Sequence, residues 1–237
     1  MKKLFVIFSF LLSLCLVTLV FNSCKKDKNT DNPTGGDGTS GLVSRIVDED
    51  GYWLNYLYDS QNRLTSIIKE DGENLTFSYP FSNTIIIDRG VDVLTLTLNS
   101  DGYIIKLETD WNLITYEYDN GYLVKETEDD GTFYNYLWEN GNLKSVTDNQ
   151  GTTTFSYGTT PYKESNIAIW SPPMNDWFFE LPVTIFGKRS KNLATSVTHD
   201  GKTRDIRYEI NPNGYVTKVY NNPWGSTDGL WLEVKYK

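Results

Sequence analysis

The stretch YNYLWENGNLKSVTDNQGTTTFSYG, residues 134–158, decides the fold of this chain. Its first part alternates aromatic side chains with others, and the aromatic ones share one face of an extended strand: Tyr134, Tyr136 and Trp138. Asn140-Gly141 follows, a pair that favours the positive φ angles of a two-residue β-hairpin turn. Gln150-Gly151 marks another turn about ten residues later, so the stretch predicts short antiparallel strands joined by tight turns.

The same motif recurs along most of the chain on either side of this stretch. Each copy has an apolar residue, a polar turn and a hydrophobic residue that opens the next strand: YDSQNRLTSI (58–67), LNSDGYIIKL (98–107), YDNGYLVKE (118–126), WENGNLKSV (138–146) and INPNGYVTKV (210–219). In three successive copies the leading residues, Leu98, Tyr118 and Trp138, are 20 residues apart. A second series of turns lies about ten residues out of phase with the first. Turns therefore alternate between two ends of a sheet, and we expect about sixteen strands between Leu42 and Tyr236.

The strands predicted by this repeat have one apolar face and one polar face, as in Leu94 and Leu96 set against Thr95 and Thr97. A one-sided sheet must bury its apolar face. We therefore predict an all-β fold, an antiparallel meander of repeated hairpins curled into a half-open or closed barrel. The alternative is a membrane-spanning barrel, which has apolar side chains outside and polar ones within. Alternation alone does not separate the two, but a mean hydropathy of −0.43 favours a domain in water.

Residues 158–198 interrupt the repeat and contain a short apolar insert, which we place at 171–190. Its sequence begins SPPMNDWFFELPVTIFG, with Ser171 as a possible N-cap and Pro172 at a first helical position. Pro182 limits any helix to about two turns. We predict a short helix or loop that packs into the concave side of the sheet as a plug.

The N-terminus has the layout of a secretory signal peptide, which we assign to residues 1–23. Lys2 and Lys3 form a short positive region, and Leu4–Phe21 is apolar apart from two serines and a threonine. The alternative is a transmembrane helix, for which this run is near the lower limit of length.

Residues 25–40, KKDKNTDNPTGGDGTS, contain no apolar side chain and are predicted to form a flexible tether. Such a segment has a root-mean-square reach of roughly 20–25 Å. The remaining residues, 41–237, are predicted to form a single β-repeat domain.

Asn22-Ser23-Cys24 at the end of the apolar run resembles a bacterial lipobox. The looser form seen here, with Phe21 and Asn22 before Ser23, resembles the lipoboxes of Bacteroidetes lipoproteins. The resemblance implies that Cys24 is acylated and becomes the mature N-terminus. It further implies an outer-membrane lipoprotein, on the periplasmic or the exposed side, whose membrane contact is the lipid on Cys24.

The repeat itself, over residues 50–158 and 201–221, resembles the YD repeats of Rhs-type proteins, which build curled β shells. Lipobox, tether, repeats and the segment FGKRSKNLATSV (186–197) together resemble a Bacteroidetes lipoprotein family of unknown function. That family is described as having a porin-like, partly closed β-barrel. The resemblance implies a fold and transfers no catalytic residues.

Charge and composition argue against several kinds of function. The formal net charge is −9, and loss of residues 1–23 would remove Lys2 and Lys3 and no acid, giving −11. An acidic surface repels phosphate backbones, so we expect no nucleic-acid partner. Cys15 would leave with the signal peptide, so the mature chain would hold no disulfide. His199 is the sole histidine, which excludes a histidine-based metal cluster, and we expect no cofactor.

Acidic clusters at 48–50 and 128–130 have two interpretations. Carboxylate oxygens suit Ca²⁺, but Asp before Gly is also a preferred hairpin-turn residue. Because the clusters recur wherever a turn recurs, we favour the turn and predict no metal site. No carboxylate pair is singled out as a glycosidase pair, and His199 beside the Asp200-Gly201 turn is predicted to lie at an exposed strand end. We therefore predict no catalytic site.

Aromatic residues outside the alternating positions are candidates for stacking on sugar rings: Trp53, Trp111 and Trp224. Two hypotheses follow from the sequence. The first is a non-catalytic envelope lipoprotein with a binding or assembly role, whose partner is a polysaccharide or an envelope protein. The alternative is a surface glycan-binding module in polysaccharide capture, which requires exposed rings on a shared patch.

Overall fold

The computed structural model describes residues 41–163, 183–220 and 229–237. The predicted signal peptide, Cys24 and the tether lie outside these ranges, as do Trp224 and the first part of the insert. The described chain forms seventeen β-strands and one short 3₁₀ helix, Val183–Phe186. The strands are β1 Val43–Asp48, β2 Trp53–Tyr58, β3 Leu64–Lys69, β4 Leu75–Phe81, β5 Thr84–Asp88, β6 Val93–Leu98, β7 Ile104–Glu108, β8 Leu113–Asp119, β9 Tyr122–Glu128, β10 Phe133–Glu139, β11 Asn142–Thr147, β12 Thr152–Pro161, β13 Asn192–His199, β14 Lys202–Asp205, β15 Arg207–Ile210, β16 Val216–Tyr220 and β17 Leu230–Tyr236.

The strands form one antiparallel sheet in which almost every strand pairs with its neighbours in sequence. The sheet returns on itself because β1 pairs with β2 on one side and with β17 on the other, through Ile46 opposite Leu54 and Val234. β14 pairs with β13 and β15 with β16, on either side of an interruption at Ile206. The result is a nearly closed barrel, which confirms the predicted all-β meander, with one strand more because residues 202–210 form two.

The barrel has two ends, which we name by what lies there. The insert end holds the turns at 59–63, 82–83, 99–103, 120–121, 140–141 and 211–215, the segments 162–163 and 183–191, and the residues Gly41 and Lys237. The far end holds the turns at 49–52, 70–74, 89–92, 109–112, 129–132, 148–151 and 200–201. This two-ended arrangement is the one that the out-of-phase turns predict.

The apolar face of the repeat points into the barrel. Inward side chains from all around the sheet form one continuous core, and several of them are fully buried: Ile67, Leu96, Ile104, Leu123, Leu143 and Val219. Many of the outward positions between them are polar and exposed, as at Thr115, Glu117 and Asn135, with scattered exposed apolar side chains such as Leu137. This distribution is the reverse of the one that the membrane-spanning alternative requires.

No helix in the described parts of the chain is both long enough and apolar enough to cross a membrane.

The repeated aromatic residue at the end of each first strand has a specific role that alternation alone does not predict. Its polar atom donates a hydrogen bond to a backbone carbonyl near the start of the preceding strand, or of β13 in the case of Tyr208 on β15. We call this set of residues the aromatic ladder. Its members are Tyr58 to Val43, Tyr79 to Leu64, Tyr118 to Ile104, Trp138 to Leu123, Tyr157 to Leu143, Tyr208 to Ala194 and Tyr236 to Val216, at 2.7–2.9 Å. Burial raises the pKa of Tyr58, Tyr79 and Tyr157 to about 12, so these hydroxyls keep their protons at neutral pH.

A second row of side chains stacks on the ladder. Tyr103 lies 5.4 Å from Tyr118 between ring centroids, and Tyr122 lies 4.6 Å from Trp138. In both cases a residue that opens the second strand of one hairpin packs on the ladder residue of the next hairpin. Packing between adjacent hairpins therefore accounts for the 20-residue repeat, because one copy supplies a ring that stacks on the ladder residue of the next copy.

The described part of the insert, 183–190, packs against the insert end. Phe186 is fully buried and meets the Tyr116 ring edge-on, with centroids 5.8 Å apart. The backbone N–H of Lys188 donates to the Gly121 carbonyl at 2.7 Å, so the insert is tied to the turn between β8 and β9. Gly187 has φ of +81°, and a Cβ there would lie 2.5 Å from that same carbonyl oxygen, so only glycine fits. The predicted apolar plug is thus found at 183–190, whereas 171–182 lies outside the described residues.

Candidate functional site

Glu126 on β9 is a buried carboxyl group on the inward face of the sheet. It has no exposed surface, and the Tyr136 hydroxyl on β10 donates to its Oε2 at 2.9 Å. Tyr116 on β8 lies opposite it in register and is also buried. Burial, with a smaller contribution from Glu128, raises the pKa of Glu126 to about 8. At neutral pH this carboxyl group is therefore mostly protonated and can donate as well as accept a hydrogen bond.

Glu126 was not recognised from the sequence, although the repeat contains the signal. The third residue after the strand-opening apolar residue is apolar in other copies: Ile67, Leu107, Val146 and Val219. Glu126 takes that place in the YDNGYLVKE copy. Glu126 is buried between Tyr116 and Tyr136 on the neighbouring strands, so the group is a polar network inside the core rather than an open site.

Carboxylates of the acidic clusters accept hydrogen bonds from backbone N–H groups within their turns. Asp48 Oδ1 accepts hydrogen bonds from the backbone N–H groups of Asp50 and Tyr52, at 3.0 and 2.8 Å. Asp130 Oδ1 accepts from the N–H of Thr132 at 2.7 Å. These contacts support the turn interpretation, because each carboxylate replaces a partner that the turn backbone would otherwise lack. Within residues 41–163, 183–220 and 229–237, no cluster of three or more His, Cys, Asp or Glu side chains could hold a metal ion.

His199 lies at the far end, as its place beside a turn predicts. Its Nδ1 is 2.8 Å from the Thr153 hydroxyl, and its Nε2 is 3.6 Å from a carboxylate oxygen of Asp200. The first contact joins β12 and β13, the second joins His199 to the adjacent turn residue, and both are accounted for by packing of the strand ends.

The tryptophans proposed for sugar stacking have different surroundings. Trp111, in the turn at 109–112, has half of its surface exposed (50%). Trp53, at the start of β2, is half-buried and lies under the Arg45 guanidinium, whose Cζ is 4.7 Å from the ring centroid. Strands β3 to β7 separate the two along the sheet, so the structure gives them no shared stacking surface. Trp224 lies outside the described residues.

Trp111 has exposed apolar neighbours that the sequence did not single out. Val91 is 78% exposed in the preceding far-end turn, and Val93 is 46% exposed at the start of β6. These three exposed apolar side chains lie on two hairpin tips that are adjacent in the sheet order. Such exposed apolar residues on hairpin tips are suited to contact with a ligand or another protein.

The two ends differ strongly in charge. Within the far-end turns the acidic residues are Glu49, Asp50, Glu70, Asp71, Glu73, Asp92, Asp110, Asp129, Asp130, Asp148 and Asp200. The basic residue in those turns, Arg89, is buried and paired with Asp92 at 2.8 Å. In the described turns and segments of the insert end, bases outnumber acids. The acids are Asp59 and Asp101, with Asp119 and Glu139 directly beside the turns at 120–121 and 140–141, and the bases are Arg63, Lys163, Lys188, Arg189, Lys191 and Lys237.

Comparison with known proteins identifies the fold. No family model matches the chain, and no curated protein sequence matches it. Among solved structures, a porin-like protein from Bacteroides uniformis is similar over 84% of this chain and 99% of its own length, with a TM-score of 0.65 and 19% identity. A porin-like protein from Bacteroides vulgatus is similar over 83% of this chain and 99% of its own, with a TM-score of 0.56 and 14% identity. At these identities the likeness shows a shared fold, the porin-like barrel that the sequence resemblance implies.

Proposed function

We propose that the mature chain is a non-catalytic lipoprotein of the bacterial outer membrane, held by a lipid on Cys24, whose barrel serves a binding or assembly role. The lipobox-like sequence before Cys24 supports the anchor. The shared fold with porin-like Bacteroides proteins is consistent with an envelope location.

The observation that carries this proposal is the burial of the inward face. Side chains such as Leu96, Leu123 and Leu143 have no exposed surface, so they contact other protein atoms rather than water. A porin, in contrast, has a polar, water-filled interior. Function in this barrel is therefore assigned to the two ends and the outer wall, which are the surfaces that a partner can reach.

Substitution at Cys24 tests the anchor. We expect Cys24→Ala to give a precursor that is neither acylated nor cleaved, because the acylated residue of the lipobox is gone. Cys15→Ala is the matched control, since it changes a cysteine within the same apolar run and should leave processing intact. The measurement is the intact mass of the membrane-extracted protein. A cleaved Cys24→Ala protein whose mass differs from that of the Cys15→Ala control only by the lost sulfur atom would overturn the anchor.

A second candidate function, capture of a polysaccharide, is favoured by the exposure of Trp111. A half-exposed indole on a hairpin tip can stack on a sugar ring without rearrangement of the core. The adjacent Asn112 and Asp110 could supply polar contacts to hydroxyl groups.

A thermal-shift screen of the mature protein in detergent against plant, host and microbial polysaccharides tests this second function. A ligand that binds the folded state raises the melting temperature by mass action. We expect the shift to be lost in Trp111→Ala and kept in Leu137→Ala, which removes an exposed apolar side chain from the outer wall. No shift with any polysaccharide would leave a protein partner as the better hypothesis.

A further inference from the structure

We propose that the insert end of the barrel docks on the lipid surface, so that the acidic far end points away from the membrane. This inference rests on the proposed lipid anchor at Cys24. It adds to the anchor a fixed orientation of the barrel, in which one end faces the membrane and the other end is available to a partner.

The chain leaves the barrel toward Cys24 from the insert end. Gly41 lies at the insert end, packed against the Tyr215 ring, and the neighbouring Leu42 carbonyl accepts the backbone N–H of Lys237 at 2.9 Å. Sixteen residues, 25–40, separate Gly41 from Cys24. Their composition predicts a reach of roughly 20–25 Å. That is close to the length of one six- or seven-residue strand, at about 3.3 Å per residue. The insert end therefore lies at the attachment point of the tether, whereas the far end could touch the membrane only if the tether ran back along the barrel wall over about its whole root-mean-square reach.

The exposed charges at the two ends also favour this orientation. Four lysines at the insert end are exposed, Lys163, Lys188, Lys191 and Lys237. Two of them extend over turns of that end: Lys188 Nζ donates to the Asn120 carbonyl at 2.7 Å, and Lys163 Nζ to the Asn213 carbonyl at 2.5 Å. Exposed lysines are attracted to anionic lipid head groups, and the acids of the far-end turns are repelled by them. The chain as a whole is acidic, and its net charge does not favour adsorption to anionic lipid. The uneven distribution of charge between the two ends nevertheless favours one orientation of the lipid-anchored barrel.

The third observation is apolar exposure near the insert end. Phe81 is 68% exposed beside the turn at 82–83, and Leu137 is 60% exposed close to the turn at 140–141. A surface that carries both exposed apolar side chains and lysines has the composition that binds the membrane interface. Apolar exposure alone would not choose an end, because Val91 and Trp111 are exposed at the far end. The choice is made by charge and by the position of Gly41.

Two single-cysteine variants test the orientation. Ser82→Cys places a thiol in an exposed insert-end turn, and Gln150→Cys places one in an exposed far-end turn. Because Cys24 would carry the lipid and Cys15 would be removed, each mature protein has one free thiol for a fluorophore. The labelled lipoproteins are reconstituted in vesicles of phosphatidylcholine and phosphatidylglycerol that contain a quencher on the lipid head group.

We expect at least twofold stronger quenching at position 82 than at position 150. The difference should shrink in 0.5 M salt, since screening shortens the range of surface charge interactions. It should also shrink in Lys188→Gln/Lys191→Gln but not in Lys106→Gln, a control lysine on the outer wall paired with Glu108 at 2.7 Å. Equal quenching at the two positions, or stronger quenching at 150, would overturn the docking proposal.

The intact mass of each sample, measured before reconstitution, separates the two proposals. An acylated protein with equal quenching at both positions overturns the orientation and leaves the anchor standing. A protein without an acyl group overturns the anchor and the orientation that depends on it.

Discussion

Glu126 sets the pH dependence of the fold at the scale of the single residue. Its raised pKa means that an unfolded chain ionises this carboxyl group near its ordinary value of 4.5, whereas the folded chain keeps the proton until about 8. Between these values the unfolded state holds fewer protons than the folded state, so stability falls as the pH rises. The loss is at most about 1.4 kcal/mol per pH unit for one group, and it ends above the folded-state pKa.

We expect Glu126→Gln to remove this loss, because the amide keeps an acceptor for Tyr136 and has no charge to bury. The variant should match the parent near pH 5 and have the higher melting temperature near pH 8, measured by circular dichroism. Glu117→Gln is the control, since that exposed carboxylate on β8 pairs with Lys125 at 3.1 Å on the surface. A parent protein whose stability is the same at both pH values would refute the buried acid.

The aromatic ladder determines stability at the scale of the element. Tyr118→Phe removes the hydroxyl that donates to the Ile104 carbonyl at 2.8 Å and leaves the ring in place. We expect a loss of about 1–2 kcal/mol in the free energy of unfolding, since a buried carbonyl loses its partner. Tyr103→Phe is the matched control because that ring stacks on Tyr118 in the same layer. Urea denaturation measures both, and equal effects would show that the hydroxyl contributes nothing specific.

The two-residue turns make a second prediction for the hairpins. Asn140 and Gly141 both have positive φ, +52° and +79°, as a type I′ turn requires. Asn140→Gly should therefore be nearly neutral, whereas Asn140→Val should cost about 1–2 kcal/mol, since a β-branched residue is strained in the left-handed region. Urea denaturation of the two variants compares them directly. A neutral valine would mean that the turn relaxes into another type.

The elements that the sequence predicted well are those fixed by local chemistry. Turn residues such as Asn120-Gly121 and the alternation in Leu94–Leu98 depend on neighbours in sequence, so strands, turns and the inward face could be read from them. The ladder could not, because the carbonyl that Tyr118 meets belongs to another strand. The path of the insert could not be predicted either, because the hydrogen bond from the Lys188 N–H to the Gly121 carbonyl joins segments that only the folded barrel brings together.

The candidate site was predicted less well than the fold. Trp53 and Trp111 were chosen because both fall outside the alternating core positions, but the structure places Trp53 under Arg45 and several strands away from Trp111. The exposure of Val91, Val93 and Trp111 on neighbouring hairpin tips depends on the order of β5 to β8 in the sheet and on which turn residues point to solvent, which no single motif gives.

At the scale of the whole molecule, the face of the sheet that meets solvent decides between a filled barrel and a membrane-embedded one. An apolar face packed inside gives a filled barrel carried on a membrane by its tether, with functional surfaces at its ends. The opposite arrangement would give a barrel embedded in lipid with a wet interior. Ile114 and Thr115 are adjacent in the middle of β8 and point to opposite faces, the first buried and the second exposed.

The most direct measurement is the reactivity of Ile114→Cys and Thr115→Cys with a membrane-impermeant maleimide, in the mature protein on its membrane. The account predicts rapid labelling at 115, where the outer wall faces water, and protection at 114 until the protein is unfolded. The reverse result, with 115 shielded by lipid and 114 labelled from an aqueous interior, would contradict the filled barrel.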